Sequence, residues 1–367
     1  MTNILSVATA GVYAEQLADV NHVRFPRVDY IELQRLLNVE TIDYSAYDRN
    51  FIGQILRRLE RELRSDIYMA SLSWWKSRQH PVLFAWSERA GIPLAAFTRL
   101  ARSDYRFVTM FTCWSERQEL AITKLDLFSA MDEIIVHCTS MKENLVRLGA
   151  QEDRVKLVHY SIDQAFFSPL SDVEQHKNRI MSIGEPRSRH YPLLFKAVEG
   201  LPVSLKVAGY GQWYAREKYG PIHGPMPENV SMTPHLSPTE LKILYASSQF
   251  VVLPIRDLMY SAGATATLEA GSMARAVVAF RSKGITDYVI DGETGILVEP
   301  GDEAALRDAI QYLLANPAEA KRLGNNARQR ILEELNLETY VSRIAELLSE
   351  KEEETKRSVA RIGLSAS

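Results

Sequence analysis

Cysteine is nearly absent from this chain: Cys113 and Cys138 are the only two, each inside an apolar stretch. Two thiols build no disulfide framework, and no C-x-x-C pair or His/Cys cluster suggests a metal. Long apolar runs are missing as well. None approaches the roughly eighteen residues of a membrane-crossing helix. The start, Met1 to Val7, lacks a basic n-region, and its apolar run is too short for a signal peptide. These absences make the reducing cytoplasm the expected compartment. A charge excess is lacking too: a formal net charge of -3 gives no general reason to expect nucleic acid as partner.

What is present is an α/β rhythm, and 367 residues suit two domains better than one. In the first half, Ile4 to Thr9, Asp66 to Ala70, Leu94 to Thr98, Phe107 to Thr112 and Asp132 to Cys138 read as strands. Helices are expected at Gln54–Arg64, Pro81–Arg89, Ser115–Ala130 and, capped by Ser140, Met141–Leu148. A short strand, Lys156 to Val158, precedes a polar linker from Ser171 to Lys177. The second half alternates more cleanly. Strands are expected at Arg179–Ile183, Val203–Ala208, Val230–Met232, Phe250–Leu253, Ala276–Phe280 and Ile296–Val298. Helices are expected at Tyr191–Glu199, Ser237–Ser247, Ala264–Ala274, Asp302–Ala315 and from Asn316 to about Leu335. Such alternation argues for parallel sheets covered on both faces. The expected division is an N-terminal Rossmann-like domain over 1–165 and a second over 166–336. A C-terminal helix and frayed tail over 337–367 would pack back on the first.

Three features of the second half converge on a diphosphate. Gly184 ends a strand and leads through Glu185 and Pro186 to Arg187, Ser188 and Arg189. Glycine lets a ligand approach the backbone, and two arginines can neutralise phosphates. Alone, this loop reads equally as a surface turn with solvated arginines. The loop from Pro254 to Gly263 feeds a helix beginning at Ala264, whose free N–H groups and dipole favour an anion; alone, it is an ordinary capped turn. Glu269 is the only acid between Ala262 and Ala279 and follows Ser261 by eight residues. At about 100° per residue the two would share a face, about 12 Å apart. A carboxylate so placed needs hydrogen-bond donors, which a ribose diol supplies.

From Asp132 to about Leu348 these residues resemble the retaining glycosyltransferases of family 4, with the GT-B fold. The likeness lies in the order of Ser161-Ile162-Asp163, Phe166 to Pro169, Gly209-Tyr210-Gly211, Leu236-Ser237-Pro238, Leu244-Tyr245-Ala246, Leu253-Pro254 and Leu268-Glu269-Ala270. Gly284-Ile285, Asp287 and Asp291 to Val298 complete it. The resemblance implies two Rossmann-like parallel-sheet domains facing each other across a cleft. It makes Glu269 the ribose ligand and Arg187 and Arg189 the diphosphate ligands. Gly263, Ala264 and Thr265 become the helix start facing the donor, with Gly184 and Ala262 beside them. Ser261 stands where the family has its first glutamate, so Asp257 is considered as a nearby substitute carboxylate. The glycine-rich loop that many members carry after their first strand is replaced by Thr9, Ala10, Gly11 and Val12.

The implied reaction moves a hexose from a UDP- or GDP-sugar to a glycan, glycolipid or small-molecule acceptor, with neither metal nor cofactor. Charge growing on the departing diphosphate would be met by the two arginines and the helix dipole. The first half would hold the acceptor, and Trp114, Arg99 and Tyr105 are candidates, with Tyr13, Trp74, Trp75 and Arg102 behind them; core or surface roles are the alternative for each. His137, inside a strand, reads as a packed core histidine. The basic helix Arg57 to Arg64, near Trp74-Trp75-Lys76, is either a solvated face or a peripheral contact with an anionic membrane. Two other functions remain open: a catalytically silent protein binding nucleotide sugars or a partner, suggested by Ser261, and another GT-B enzyme such as an epimerase or phosphorylase.

Overall fold

The computed structural model describes residues 4–9, 19, 23–48, 51–63, 65–101, 105–208, 226–233 and 236–349. Tyr13, Arg102, residues 10–12 and the Gly209-Tyr210-Gly211 motif lie outside these residues. Among the described residues there are two six-stranded sheets, and every strand pairing is parallel. The first contains β1 (Ile4–Val7), β2 (Val39–Ile42), β3 (Val82–Ala85), β4 (Arg106–Phe111), β5 (Glu133–Val136) and β6 (Val155–Leu157), in the order β2-β1-β3-β4-β5-β6. The second contains β7 (Arg179–Ile183), β8 (Ser204–Ala208), β9 (Val230–Met232), β10 (Phe250–Leu253), β11 (Ala276–Phe280) and β12 (Gly295–Val298), in the order β12-β11-β10-β7-β8-β9. Strand order reverses between β1 and β3 in one sheet and between β7 and β10 in the other. Open parallel sheets leave a crevice beyond the strand ends at such points.

Fully buried strands serve two cores by alternation. In β3, Leu83 and Ala85 join one apolar cluster while Val82 and Phe84 join another. In β10, Val251 and Leu253 face one side and Phe250 and Val252 the other. The residues over 337–349 are helical and return to the first sheet, where Leu337, Tyr340, Val341, Ile344 and Leu348 pack beside Val82, Phe84 and Val108. Arg27 ties this return to the junction, bonding Asp163 at 2.8 Å and pairing with Glu338.

Several expectations for the first half need correction. Residues 67–70 are not a strand but open the helix Ile67–Lys76, which buries Met69, Ala70 and Ser73 along one face. Val82–Ala85 is a strand rather than a helix, and the helix follows it, Glu88–Leu100, capped by the Ser87 hydroxyl. Leu94–Thr98 therefore lies within that helix. Pro93 obscured it, since proline inside a helix removes the bond to the carbonyl four residues back. That carbonyl, Arg89 C=O, accepts instead from the Asp66 N–H at 2.9 Å, so the usual penalty is reduced.

The two halves meet at the turn after β5. Ser140 does not cap the next helix: Cys138 holds the cap position, and the Asp287 carboxylate, from the other half, accepts from Thr139 N–H at 2.6 Å. The Ser140 hydroxyl donates to the Met259 carbonyl at 3.0 Å. Gly284 sits against the loop after β10, where an added Cβ would stand 2.0 Å from the Tyr260 carbonyl oxygen. Overpacking of this kind costs about 1–3 kcal/mol. Gly284→Ala should therefore lower the melting temperature by several degrees; a shift under ~1 °C in calorimetry would show that the two loops part freely.

Candidate functional site

The crevice at the second sheet's switch point is bounded by the loops after β7 and β10. Strand-like pairing sews them together: His190 N–H donates to Pro254 C=O at 2.7 Å and Arg256 N–H to Ser188 C=O at 3.0 Å, around an Arg189–Ile255 bridge. Arg189 is 4% exposed, and its Nε donates to the Ile183 carbonyl at 2.9 Å. Its guanidinium fills the space that a side chain at Gly184 would need, whereas at Gly263 the Ile255 side chain, 2.6 Å from an added Cβ, leaves no room. A Cβ on Gly184 would lie 2.5 Å from Nη2, and one on Gly263 would lie 3.4 Å from it. Gly184 and Gly263 also adopt φ of 127° and 91°, which other residues resist. Among the described residues no carboxylate forms an ion pair with Arg189. Burial lowers its pKa, yet a guanidinium keeps its charge. The result is a buried cation that no described carboxylate pairs with, Glu185 acting on it only at longer range, a costly arrangement that an anion would relieve.

The helix Ala264–Ser272 starts at this cation. Gly263 occupies its cap position, and no described side chain caps it. Its first-turn N–H groups add donors and a dipole to the same place. Glu269 lies further along the helix, half-buried, accepting from the Tyr245 hydroxyl at 2.8 Å. Burial pushes its carboxyl up to about 7, against the lowering effect of the tyrosine bond. Tyr245 is fully buried and feels the charges of both Glu269 and Arg189.

The other donor-side candidates are placed less uniformly. Ala262 and Ala264 are buried where loop becomes helix, and Thr265 is exposed. Arg187 is exposed on the rim. Asp257 faces away to Lys283, accepting from its N–H at 3.2 Å and pairing with Nζ at 3.6 Å. Ser261 precedes the helix, so the left-handed turn at Gly263 breaks the helical phase expected between Ser261 and Glu269.

Residues 171–330 match the family model of glycosyl transferases group 1. That span holds both loops and Glu269. A Mycobacterium tuberculosis glycogen synthase is 32% identical over 113 residues, covering 31% of this chain and 27% of that protein. A Mycolicibacterium smegmatis GDP-mannose-dependent alpha-(1-6)-phosphatidylinositol monomannoside mannosyltransferase is 33% identical over 130 residues, or 34% of each. The matched stretch thus spans about a third or less of these curated relatives. Over nearly the whole chain, the Anabaena protein HepE in complex with UDP superposes with a TM-score of 0.66 at 14% identity, covering 95% of this chain and 100% of that one. At that identity the likeness speaks for the fold, and the fold is GT-B.

The GT-B frame sorts the first-half candidates by sheet edge. Trp114 follows the C-terminal end of β4, packs on Phe111 with ring centroids 5.9 Å apart and donates its indole N–H to Glu119 at 3.2 Å. Arg99 ends its helix and pairs with Asp126 at 2.9 Å; Tyr105 is buried, its hydroxyl 2.7 Å from that of Thr98. Both belong to the edge where β4 begins, opposite the crevice. Trp74 packs on Phe97 under Arg78, and Trp75 is exposed. His137 is packed, its Nδ1 2.8 Å from the Val158 carbonyl, and burial takes its pKa down to about 4. Sequence reasoning missed Tyr245 and Tyr288 as polar partners, because in the sequence each reads as an apolar core residue. Glu88 was missed too: it is buried and accepts from Thr112 N–H at 2.9 Å, bracing the end of β4. No helix of the described residues is long and apolar enough to cross a membrane.

Glu269 gives this site a pH signature. Its folded pKa of about 7 lies above the ordinary value of 4.5, so burial disfavours its ionised form. Stability from this group is intact below about pH 4.5, falls as pH rises and is lost above about 7, a cost of at most about 2–3 kcal/mol. Unliganded Glu269→Gln should thus be the more stable protein at pH 8, with the difference vanishing towards pH 4.5. A melting-temperature difference that does not change with pH would contradict this.

Proposed function

We propose that the protein transfers a hexose, with retention, from a nucleoside diphosphate sugar to a glycan, lipid-linked or small-molecule acceptor. The observation that carries the reading is the buried Arg189 guanidinium, unpaired with any described carboxylate and set between Gly184 and Gly263 at a helix start. A diphosphate offers the missing negative charge, and that charge grows as the sugar–phosphate bond breaks. Cation and helix dipole are therefore worth more in the transition state than in the ground state. Arg187, on the rim, is a second cation for the same group. Glu269, ionised, accepts hydrogen bonds from the ribose diol.

HepE has been solved with UDP and with UDP-glucose, and the name of the M. smegmatis relative specifies GDP-mannose, so UDP- and GDP-hexoses are the donors to try. The chemistry proposed needs no metal, because Arg189 and the helix start supply the positive charge. Aromatic Trp114, at the crevice edge of the first sheet, is the acceptor-side residue best placed to stack on a sugar. A cytoplasmic enzyme with peripheral membrane contact also fits the helix Phe51–Leu63, which exposes Phe51 and Ile55 beside Arg57 and Arg58.

The test is a panel of UDP- and GDP-hexoses read by thermal shift and by release of UDP or GDP. One donor class should stabilise the protein and be turned over with an acceptor. Binding without turnover would leave a nucleotide-sugar-binding protein; no binding would refute both readings. Arg189→Met, which keeps the volume, should weaken binding at least ~10-fold, the scale of a lost charged hydrogen bond. Donor affinity should fall as pH drops below about 7, by up to roughly tenfold per unit, as Glu269 takes up a proton. In Glu269→Gln that pH dependence should disappear, and its persistence would exclude Glu269 from the nucleoside contact.

A further inference from the structure

The helix after β3 begins with an acid that does not face solvent. Ser87 already caps this helix, its hydroxyl accepting from the Arg89 N–H at 3.1 Å, so the helix start does not need Glu88. A first-turn acid can favour the helix dipole while staying in water. Glu88 is instead 3% exposed and reaches across to the end of β4. One of its carboxylate oxygens accepts from the Thr112 N–H at 2.9 Å, the Thr112 hydroxyl at 3.0 Å and the Cys113 N–H at 3.3 Å. Register makes the meeting possible: Ala85 of β3 pairs with Thr109 of β4, and Glu88 and Thr112 each lie three residues beyond that pair. Gly91, further into the helix, lets it lie close to β4, since a Cβ there would stand 2.0 Å from the Thr109 hydroxyl oxygen.

Burying a carboxylate is costly, and burial pushes the Glu88 carboxyl up, against the lowering effect of its bonds to Thr112 and Cys113. The sheet itself does not require this, because β3 and β4 already pair from Val82 to Ala85 and from Arg106 to Thr109. What the three bonds hold is the connection beyond β4. Downstream, Ser115 caps the helix Glu116–Lys124 by accepting from the Gln118 N–H at 3.4 Å. Trp114 stands between these two holds. It is half-buried, its ring 5.9 Å from that of Phe111 and its indole N–H on Glu119 at 3.2 Å. With the backbone pinned on both sides, the ring has one place to stand.

We infer that Glu88 is a positioning residue: by holding the Thr112–Cys113 backbone it sets Trp114 at the crevice edge, where the ring stacks on a sugar of the acceptor. That the ring meets an acceptor rests on the transferase reading; that Glu88 sets the ring does not. Glu88 acts through Trp114 and touches no substrate itself.

Indole N–H resonances of the isotope-labelled full chain test this, with the Trp114 signal assigned by Trp114→Phe. In Glu88→Met, which keeps the volume and removes the acceptor oxygens, the Trp114 signal should leave its wild-type position. Exchange of the Thr112 and Cys113 amides should rise at least ~5-fold in the same variant. Glu88→Gln, whose amide oxygen can accept in the same place, should restore both. Thr112→Val removes one donor of the three; it should move the Trp114 signal the same way, and it serves if Glu88→Met does not fold. A Trp114 signal that stays in place in either variant would overturn the inference and leave Glu88 a brace of the sheet alone. With UDP-glucose or GDP-mannose as donor and octyl glucoside or octyl mannoside as acceptor, Glu88→Met should raise the acceptor KM about 5-fold, the scale of one aromatic contact, and leave the donor KM unchanged. Added to Trp114→Ala, it should cost nothing more, because both act through the same ring. Losses that multiply would mean that Glu88 acts by another route, and the inference would fail. If the wild-type protein binds neither nucleotide sugar, the transferase reading falls and the indole signal still decides what Glu88 positions.

Discussion

A single buried cation organises the second half of this protein. The Arg189 guanidinium is anchored through Nε to the Ile183 carbonyl and fits only because Gly184 has no side chain. Around it lie the left-handed Gly263, the strand-like stitching of the two loops and a helix start that no described side chain caps. Each of these costs stability by itself. Glycine in the left-handed region gives up chain entropy, an uncapped helix leaves donors unmade, and a buried charge is desolvated. A bound diphosphate would offset all three at once. Glu269 adds a cost of opposite sign, a carboxyl pushed up to about 7 and bonded to Tyr245. In the proposed reading a ligand with both phosphates and hydroxyls would satisfy the two together.

The second half was readable from sequence because its strands are continuous apolar runs bounded by unambiguous punctuation. Phe250–Leu253 stops at Pro254, Arg179–Ile183 stops at Gly184, and Ser237 and Asp302 cap their helices as side-chain acceptors. The first half offered weaker signals. Its helix Glu88–Leu100 contains Pro93, and Ile67–Tyr68–Met69–Ala70 is an apolar run too short to distinguish strand from helix by period. Tertiary contacts decide both: Asp66 satisfies the carbonyl freed by Pro93 and also pairs with Arg89.

Within the site, the residues legible beforehand were those whose type is unusual for their setting: a lone acid in a small-residue helix, arginines after a strand, glycines at loop ends. Tyr245 and Tyr288 were not legible, since their rings pack as core and only their hydroxyls touch the site. The partnering of Asp257 with Lys283 was equally hidden, because it depends on a loop 26 residues further along. The acceptor side stayed least defined. Arg99 and Tyr105 are chemically suited to a ligand but stand at the wrong edge of the sheet, which only the topology reveals.

The central claim is that Arg189, the helix start at Gly263 and Glu269 form one nucleotide-diphosphate site. A crystal structure of the protein grown with UDP or GDP tests it most directly. Phosphate oxygens should lie within hydrogen-bond distance of the Arg189 guanidinium and the first-turn amides, with the ribose hydroxyls on the Glu269 carboxylate. A nucleotide seated elsewhere, or one whose ribose leaves Glu269 bonded to Tyr245 alone, would contradict it.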